Sequence, residues 1–347
     1  MMKKIMEAAD SYGTLTERTV MRVLHEVRGD GRLELSELKR LVEKDDSLTE
    51  KKPLVDHCFQ QIQNNMNSVV MVAPASSIFE SPDSEYVIIV SKPLHLRRVS
   101  EKYEICKNAS YAFQPSAFCD GSGFFVKEKE GGVKVIATAA HLLVRPGVAI
   151  EKMRFIHGIQ IKKPGDFSYN IAVHKSQVYK PVQENGQLPP SDYELFYNSS
   201  DWALVKVKHA YEQFINPKNP PSLVSIQATP VEESTHLYAT GHGLGLPLKI
   251  SFDGEVMPFA SRNVSTGMKE KAYYESKLTL LGGNSGSPVF SAESHQLVGI
   301  YMRGVKKLHL TENYKCLRVK NETDSVEGQE CLCVHNGTNF SKRLELI

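Results

Sequence analysis

Beginning at Glu85, the chain is written in short apolar runs broken by turn residues: YVIIV, SGFFVKEK, VKVIATAA, WALVKVK and QLVGIYM. Each run has the length of a strand, and Gly, Pro, Asp and Asn punctuate the gaps between them. A chain patterned this way over residues 85–347 is confined to mostly β architecture, and a pair of antiparallel barrels fills that length.

Upstream the pattern is different. TLTERTVMRVLHEV places Val20, Val23, Leu24 and Val27 at spacings of three and four, and ELSELKRLVEK repeats the period, so residues 1–66 read as a small helical region. Residues 67–84, with their SPDS break, read as a linker to the β domain of residues 85–347. Between the helical stretches, GDGRLELSEL imitates a calcium loop with Gly31 at the sharp turn, Asp30 before it and Glu37 at the bidentate position. Glu26 and Arg28 occupy the first two ligand slots, however, and an arginine there repels the ion. A helix-loop-helix without calcium is the expectation.

Charge narrows the partners. Forty-two basic and 40 acidic side chains nearly cancel, which argues against a nucleic-acid or membrane surface as the main partner and leaves proteins or peptides. MMKKIMEAADSYGTL carries no apolar run of signal-peptide length, and no segment approaches a membrane span. A soluble, cytoplasmic protein is therefore the default expectation, with export by a route not visible in the sequence as the alternative. Six cysteines are too sparse for a disulfide-built scaffold and read as reduced thiols. Six Asn-x-Ser/Thr sequons, from Asn108 to Asn339, do not outweigh the missing leader.

The chemistry concentrates in GGNSGSPVF, residues 282–290, where three glycines surround Ser285. A serine nucleophile needs a base to take its proton and a carboxylate to orient that base. VIATAAHLL puts His141 at the end of an apolar run, and SSDWALVKV puts Asp201 at the start of another. The order His, Asp, Ser is the one found in barrel-type serine proteases. Each residue alone reads as well as a turn or structural residue; their joint order and settings favour a triad. Cys331, Cys333 and His335 alternate in ECLCVHN, with Cys316 nearby in sequence, and could hold zinc; the plainer reading is a buried strand using cysteine as a small hydrophobe. No metal or cofactor is required by the chemistry.

GSGFFV, TAAH, DWALVKV, TGHGLGLP, GGNSGSPVF and LVGIYMRG resemble, in succession, the signatures of chymotrypsin-fold serine peptidases, and the GGNSGSPVF block resembles the bacterial glutamyl endopeptidases closely. The resemblance spans residues 85–347 and includes a terminal helix in NFSKRLELI; it says nothing of residues 1–84. It implies two six-stranded antiparallel barrels, with His141 as general base, Asp201 as its orienter and Ser285 as acyl-forming nucleophile. The N–H groups of Gly283 and Ser285 would form the oxyanion hole. Leu142 and Asn284 stand where many secreted relatives have a disulfide cysteine and an aspartate that receives a newly cut N-terminus, so no zymogen cleavage of that kind is expected. Met302 replaces the serine that backs the aspartate in trypsin-like relatives, so Asp201 needs another donor.

The same resemblance assigns the primary pocket to Thr279, Leu280 and Leu281 and to the strand Tyr301, Met302, Arg303, Gly304, along which the substrate would pair. Glutamyl endopeptidases carry histidine at the position of Tyr301 and threonine at that of Leu280, and trypsin-like relatives carry aspartate at that of Thr279. With these groups missing, a charged residue would find no counter-charge, and preference for an uncharged residue, apolar or glutamine, is expected. A catalytically silent protease fold used for binding, and a peptidase governed by a calcium-responsive helical region, are the competing readings.

Overall fold

A computed structural model of the chain describes residues 52–96, 112–144, 149–159, 170–183, 193–195, 201–215, 220–227, 229, 231–257, 273–278, 280–303, 308–310, 317–319 and 329–333. The calcium-like loop, the sequons, the NFSKRLELI tail, Cys316, His335, Thr279 and Gly304 lie outside these residues.

Six strands form the first barrel: β1 (Val69–Pro74), β2 (Gly121–Glu128), β3 (Lys134–Ala139), β4 (Met153–His157), β5 (Val178–Pro181) and β6 (Trp202–His209). They pair antiparallel in the order β5-β4-β1-β2-β3-β6, and β5 returns to β6 with Tyr179 opposite His209, which closes the ring. The run VVMVAP shows why β1 is apolar throughout. Successive side chains point to opposite faces; Val70 and Val72 enter the barrel core with Phe125, Ile136, Phe155 and Val205, while Met71 and Ala73 pack outward with Val87, Ile89 and Val173. That outer layer is a three-stranded sheet made by Ile78–Glu80, Tyr86–Ile89 and Ile171–His174. Residues 67–84 are therefore not the linker expected from the sequence. They supply the barrel's first strand and the outer sheet's first strand, because an apolar segment buried on both faces has no alternation to reveal it.

The second sheet contains β7 (His236–Gly241), β8 (Lys249–Glu255), β9 (Tyr273–Ser276), β10 (Pro288–Ser291), β11 (Leu297–Arg303) and β12 (Gln329–Cys333), in the order β8-β7-β10-β11-β12-β9. The expectation of two closed barrels needs correction here: this sheet has six antiparallel strands but does not close as a ladder among the described residues. Its two edge strands meet at one bridge, Val256 to Ser276, beside the Lys277 N–H bond to the Glu255 carbonyl at 3.1 Å. The contact falls at the last residue of the four-residue β9, and it is the one β8–β9 bridge among the described residues. Cys331 and Cys333 lie on β12, but their side chains are outside the described residues.

The helix α1 (Lys52–Met66) precedes β1. Cys58, Phe59, Ile62 and Met66 form its buried face at helical spacing. From the same face Asn65 donates to the Tyr238 hydroxyl at 2.7 Å and to the His295 carbonyl at 2.8 Å, fastening the helix to the second sheet.

Three buried histidines make this fold acid-sensitive. Burial pushes the imidazoles of His157, His242 and His295 down to about 4. His157 Nε2–H donates to the Asn67 carbonyl and His242 Nδ1–H to the Leu246 carbonyl, while His295 Nδ1 accepts from Tyr238. In the unfolded chain each would titrate near 6.5. Below that pH the unfolded state binds protons that the folded state refuses, so stability is complete above pH 6.5 and is lost progressively down to about pH 4. His157 and His242, the most deeply buried, account for about 2 kcal/mol each at pH 5. A melting temperature flat between pH 7 and 8 and falling steeply from pH 6.5 to 4.5 is expected; a flat profile to pH 4.5 would contradict the burial of these rings.

Candidate active site

β3 ends at Ala139, and the chain turns through the short helical turn Ala140–Leu142 that carries His141. β6 pairs alongside, with Trp202 opposite Ala139, so Asp201 arrives next to that turn. Its backbone carbonyl accepts from the Ala140 N–H at 3.0 Å. The carboxylate then takes two bonds from one residue: the His141 backbone N–H reaches Oδ1 at 2.9 Å, and the imidazole Nδ1–H reaches Oδ2 at 2.9 Å. Asp201 adopts φ 52, in the left-handed region that Asp tolerates better than most residues because its short polar side chain bonds locally. The donor that Asp201 needs in place of a serine at position 302 is thus the main chain of His141 itself. Both side chains remain partly exposed, at 26% and 14%, so the pair opens to solvent on one side.

The second sheet brings Ser285. The loop between β9 and β10 places it on a bend whose neighbours Gly283 and Gly286 have φ of 92 and 84, conformations that strain any side chain. At Gly286 there is also no room: a Cβ would lie 2.1 Å from the Ser122 carbonyl oxygen and 2.8 Å from the Ala139 nitrogen. This close approach seats the serine bend against the end of β3, just before His141. Ser285 Oγ donates to the Met302 carbonyl at 3.1 Å. The structure thus joins His141 to Asp201 by hydrogen bonds and sets the Ser285 bend against β11, with its hydroxyl turned to the Met302 carbonyl.

The bend presents two N–H groups. Asn284 N–H bonds the Leu281 carbonyl, Gly286 N–H the Tyr301 carbonyl and Ser287 N–H the Asn284 carbonyl, at 3.0, 2.7 and 2.8 Å. Among the described residues no partner takes the N–H of Gly283 or of Ser285. Two unpaired donors alternating with paired ones make a receptor for an oxygen that gains negative charge.

Of the pocket residues, Leu280, Leu281, Tyr301 and Met302 are buried, and Leu280 and Tyr301 join the apolar cluster of the second sheet with Leu278, Val289 and Val298. The Arg303 side chain is outside the described residues. The ladder of β10 reaches Pro288 opposite Ile300, the bend before it still bonds both backbone groups of Tyr301, through the Ser287 carbonyl at 2.9 Å and the Gly286 N–H at 2.7 Å, and β11 continues to Arg303. Sequence reasoning missed Ser122, which bonds this bend, and Thr138 and His242, which bond Ser122. The GSG of residues 121–123 marked the place, but only the tertiary approach of the two sheets discloses the contacts.

Residues 121–300, more than half of the chain, match the profile of the trypsin-like peptidase domain, and the chain belongs to that family. Glutamyl endopeptidase of Staphylococcus epidermidis is 27% identical over 146 residues, covering 42% of this chain and 48% of the relative. The same protein from strain ATCC 12228 gives the same values. The chain spans about half the length of the curated relatives it matches. Among solved structures, an inactive serine-to-alanine mutant of Rv3671c from M. tuberculosis H37Rv aligns with TM-score 0.41 at 11% identity, over 82% of this chain and 90% of that one. An inactive form of the Rv3671c protease aligns with TM-score 0.40 at 13% identity, over 82% and 91%.

Proposed function

We propose that this chain is a serine endopeptidase that cleaves protein or peptide substrates through an acyl-enzyme, with His141, Asp201 and Ser285 as its triad. The observation that carries the reading is a carboxylate-bound imidazole just past the end of β3, where a serine bend from the other sheet, with two unpaired N–H groups among the described residues, is seated. Nδ1–H is held by Asp201, which leaves Nε2 as the acceptor. Rotation of the Ser285 side chain away from the Met302 carbonyl directs its proton to Nε2 as Oγ bonds the substrate carbonyl carbon. The carbonyl oxygen takes the electron pair and sits between the Gly283 and Ser285 N–H groups. Collapse breaks the C–N bond, and the leaving amine receives the proton from Nε2. A water then repeats the sequence on the ester and restores the serine.

The length of β11 beyond β10 supports substrate pairing past Tyr301, at residues 302–303, since both backbone groups of Tyr301 already bond the serine bend. The apolar side chains of Leu281 and of Leu280 and the ring of Tyr301, the latter two packed with the second-sheet core, are the basis for an uncharged primary pocket, where an unpaired charge would cost several kcal/mol. Digestion of a proteome-derived peptide library tests both the activity and the pocket. Cleavage is expected after uncharged residues of medium or large size, apolar or glutamine. Cleavage dominated by Glu, Asp, Lys or Arg would overturn the pocket assignment, and an intact library would oppose the peptidase reading.

A further inference from the structure

The peptide planes of the serine bend can be accounted for one by one. In a trans peptide the C=O and the next N–H point in opposite directions, so a bond that fixes a carbonyl also aims the N–H behind it. The Gly282 carbonyl accepts from Leu244 N–H at 2.6 Å, which aims the Gly283 N–H; the Asn284 carbonyl accepts from Ser287 N–H, which aims the Ser285 N–H. The two planes between and after these set how the two donors stand relative to each other and to the strands around them. These are the planes whose carbonyls belong to Gly283 and Ser285.

Their N–H ends bond the Leu281 and Tyr301 carbonyls, and a single residue from the other sheet holds both carbonyl ends. Ser122, fully buried on β2, donates its hydroxyl to the Gly283 carbonyl at 3.0 Å and its backbone N–H to the Ser285 carbonyl at 2.8 Å. Its Oγ also accepts the His242 backbone N–H at 2.9 Å, so the hydroxyl proton is committed to Gly283. Its own carbonyl takes the Thr138 hydroxyl at 2.6 Å, one residue before the end of the strand that leads to His141. We propose that Ser122 is a positioning residue: its hydroxyl holds the carbonyl end of the Gly283–Asn284 peptide between the two oxyanion donors and so keeps them aimed at a common point, while its backbone ties that bend to the strand carrying the base. The proposal rests on the peptidase reading above and adds a residue that does not touch substrate.

The hydroxyl can be removed with the backbone bonds left in place. Ser122→Ala tests this, and Ser122→Thr with Ser122→Val form a second pair of matched shape that differs in the hydroxyl alone. The rate of covalent labelling by a fluorophosphonate, whose phosphoryl oxygen gains charge in the same hole, is measured per folded molecule below each variant's melting temperature. Labelling by Ser122→Ala and Ser122→Val is expected to slow about 10- to 100-fold, below the loss of a whole oxyanion donor, with Ser122→Thr close to wild type. The midpoint of the rate against pH should not move, since the His141–Asp201 pair is untouched. A role in stability alone would lower melting temperatures and leave the rate per folded molecule unchanged; that result, or a Thr variant as slow as Val, overturns the proposal. Wild type serves as the control: if it is not labelled, the peptidase reading fails and the proposal falls with it, whereas a labelled wild type with unslowed Ala and Val variants refutes the role of Ser122 alone.

Discussion

Replacement of Ser285 by alanine is expected to abolish hydrolysis while the protein stays folded. The hydroxyl makes one hydrogen bond, to the Met302 carbonyl, and sits on a partly exposed bend, so its loss removes little packing. Catalysis loses its nucleophile altogether. Because triad members act as a unit, His141→Ala should bring activity down nearly as far, by about 10⁶-fold in kcat, and the double variant should be little worse than either single one. Turnover and melting temperature measured on the same preparations separate loss of chemistry from loss of fold. Near-normal turnover in Ser285→Ala would sink the mechanism.

Asp201→Asn should cost about 10⁴-fold in kcat with little change in structure. The reason lies in how the carboxylate is used. Oδ1 accepts the backbone N–H of His141, so the amide oxygen of asparagine keeps that place and its NH₂ group faces the imidazole. Two donors cannot bond, and the ring responds by moving its proton to Nε2, the nitrogen that must accept from Ser285. The imidazole is then held in the wrong tautomer. A kcat reduced far more than KM is altered is the expected signature, and an Asn variant with wild-type kcat would show that Asp201 does not orient the base.

Much of this site was legible because its chemistry is written locally. GGNSGSPVF announces a bend crowded with glycine, and TAAH and DWALVKV place their polar residues at strand ends, where the structure has them. Two parts of the fold were not legible. VVMVAP is buried on both faces, by the barrel core and by the outer sheet, and so lacks the alternation that marks a half-exposed strand. Closure of the second sheet depends on how far β8 and β9 overlap, a matter of strand length and register that no local pattern records. Ser122 was hidden for a similar reason: a serine between two glycines looks like a turn until the sheet from 160 residues later docks on it. Its importance is a property of the contact between the sheets.

Ser285 as a nucleophile, activated by His141 and served by the two N–H groups of its own bend, must react covalently with an electrophile that fits the site. The most direct measurement is intact-mass and peptide mapping of the native protein after exposure to a fluorophosphonate. One adduct per chain is expected, on the peptide containing Ser285, absent in Ser285→Ala and in protein unfolded before exposure. A native protein that remains unmodified, or one modified at another residue with Ser285 untouched, would contradict the claim.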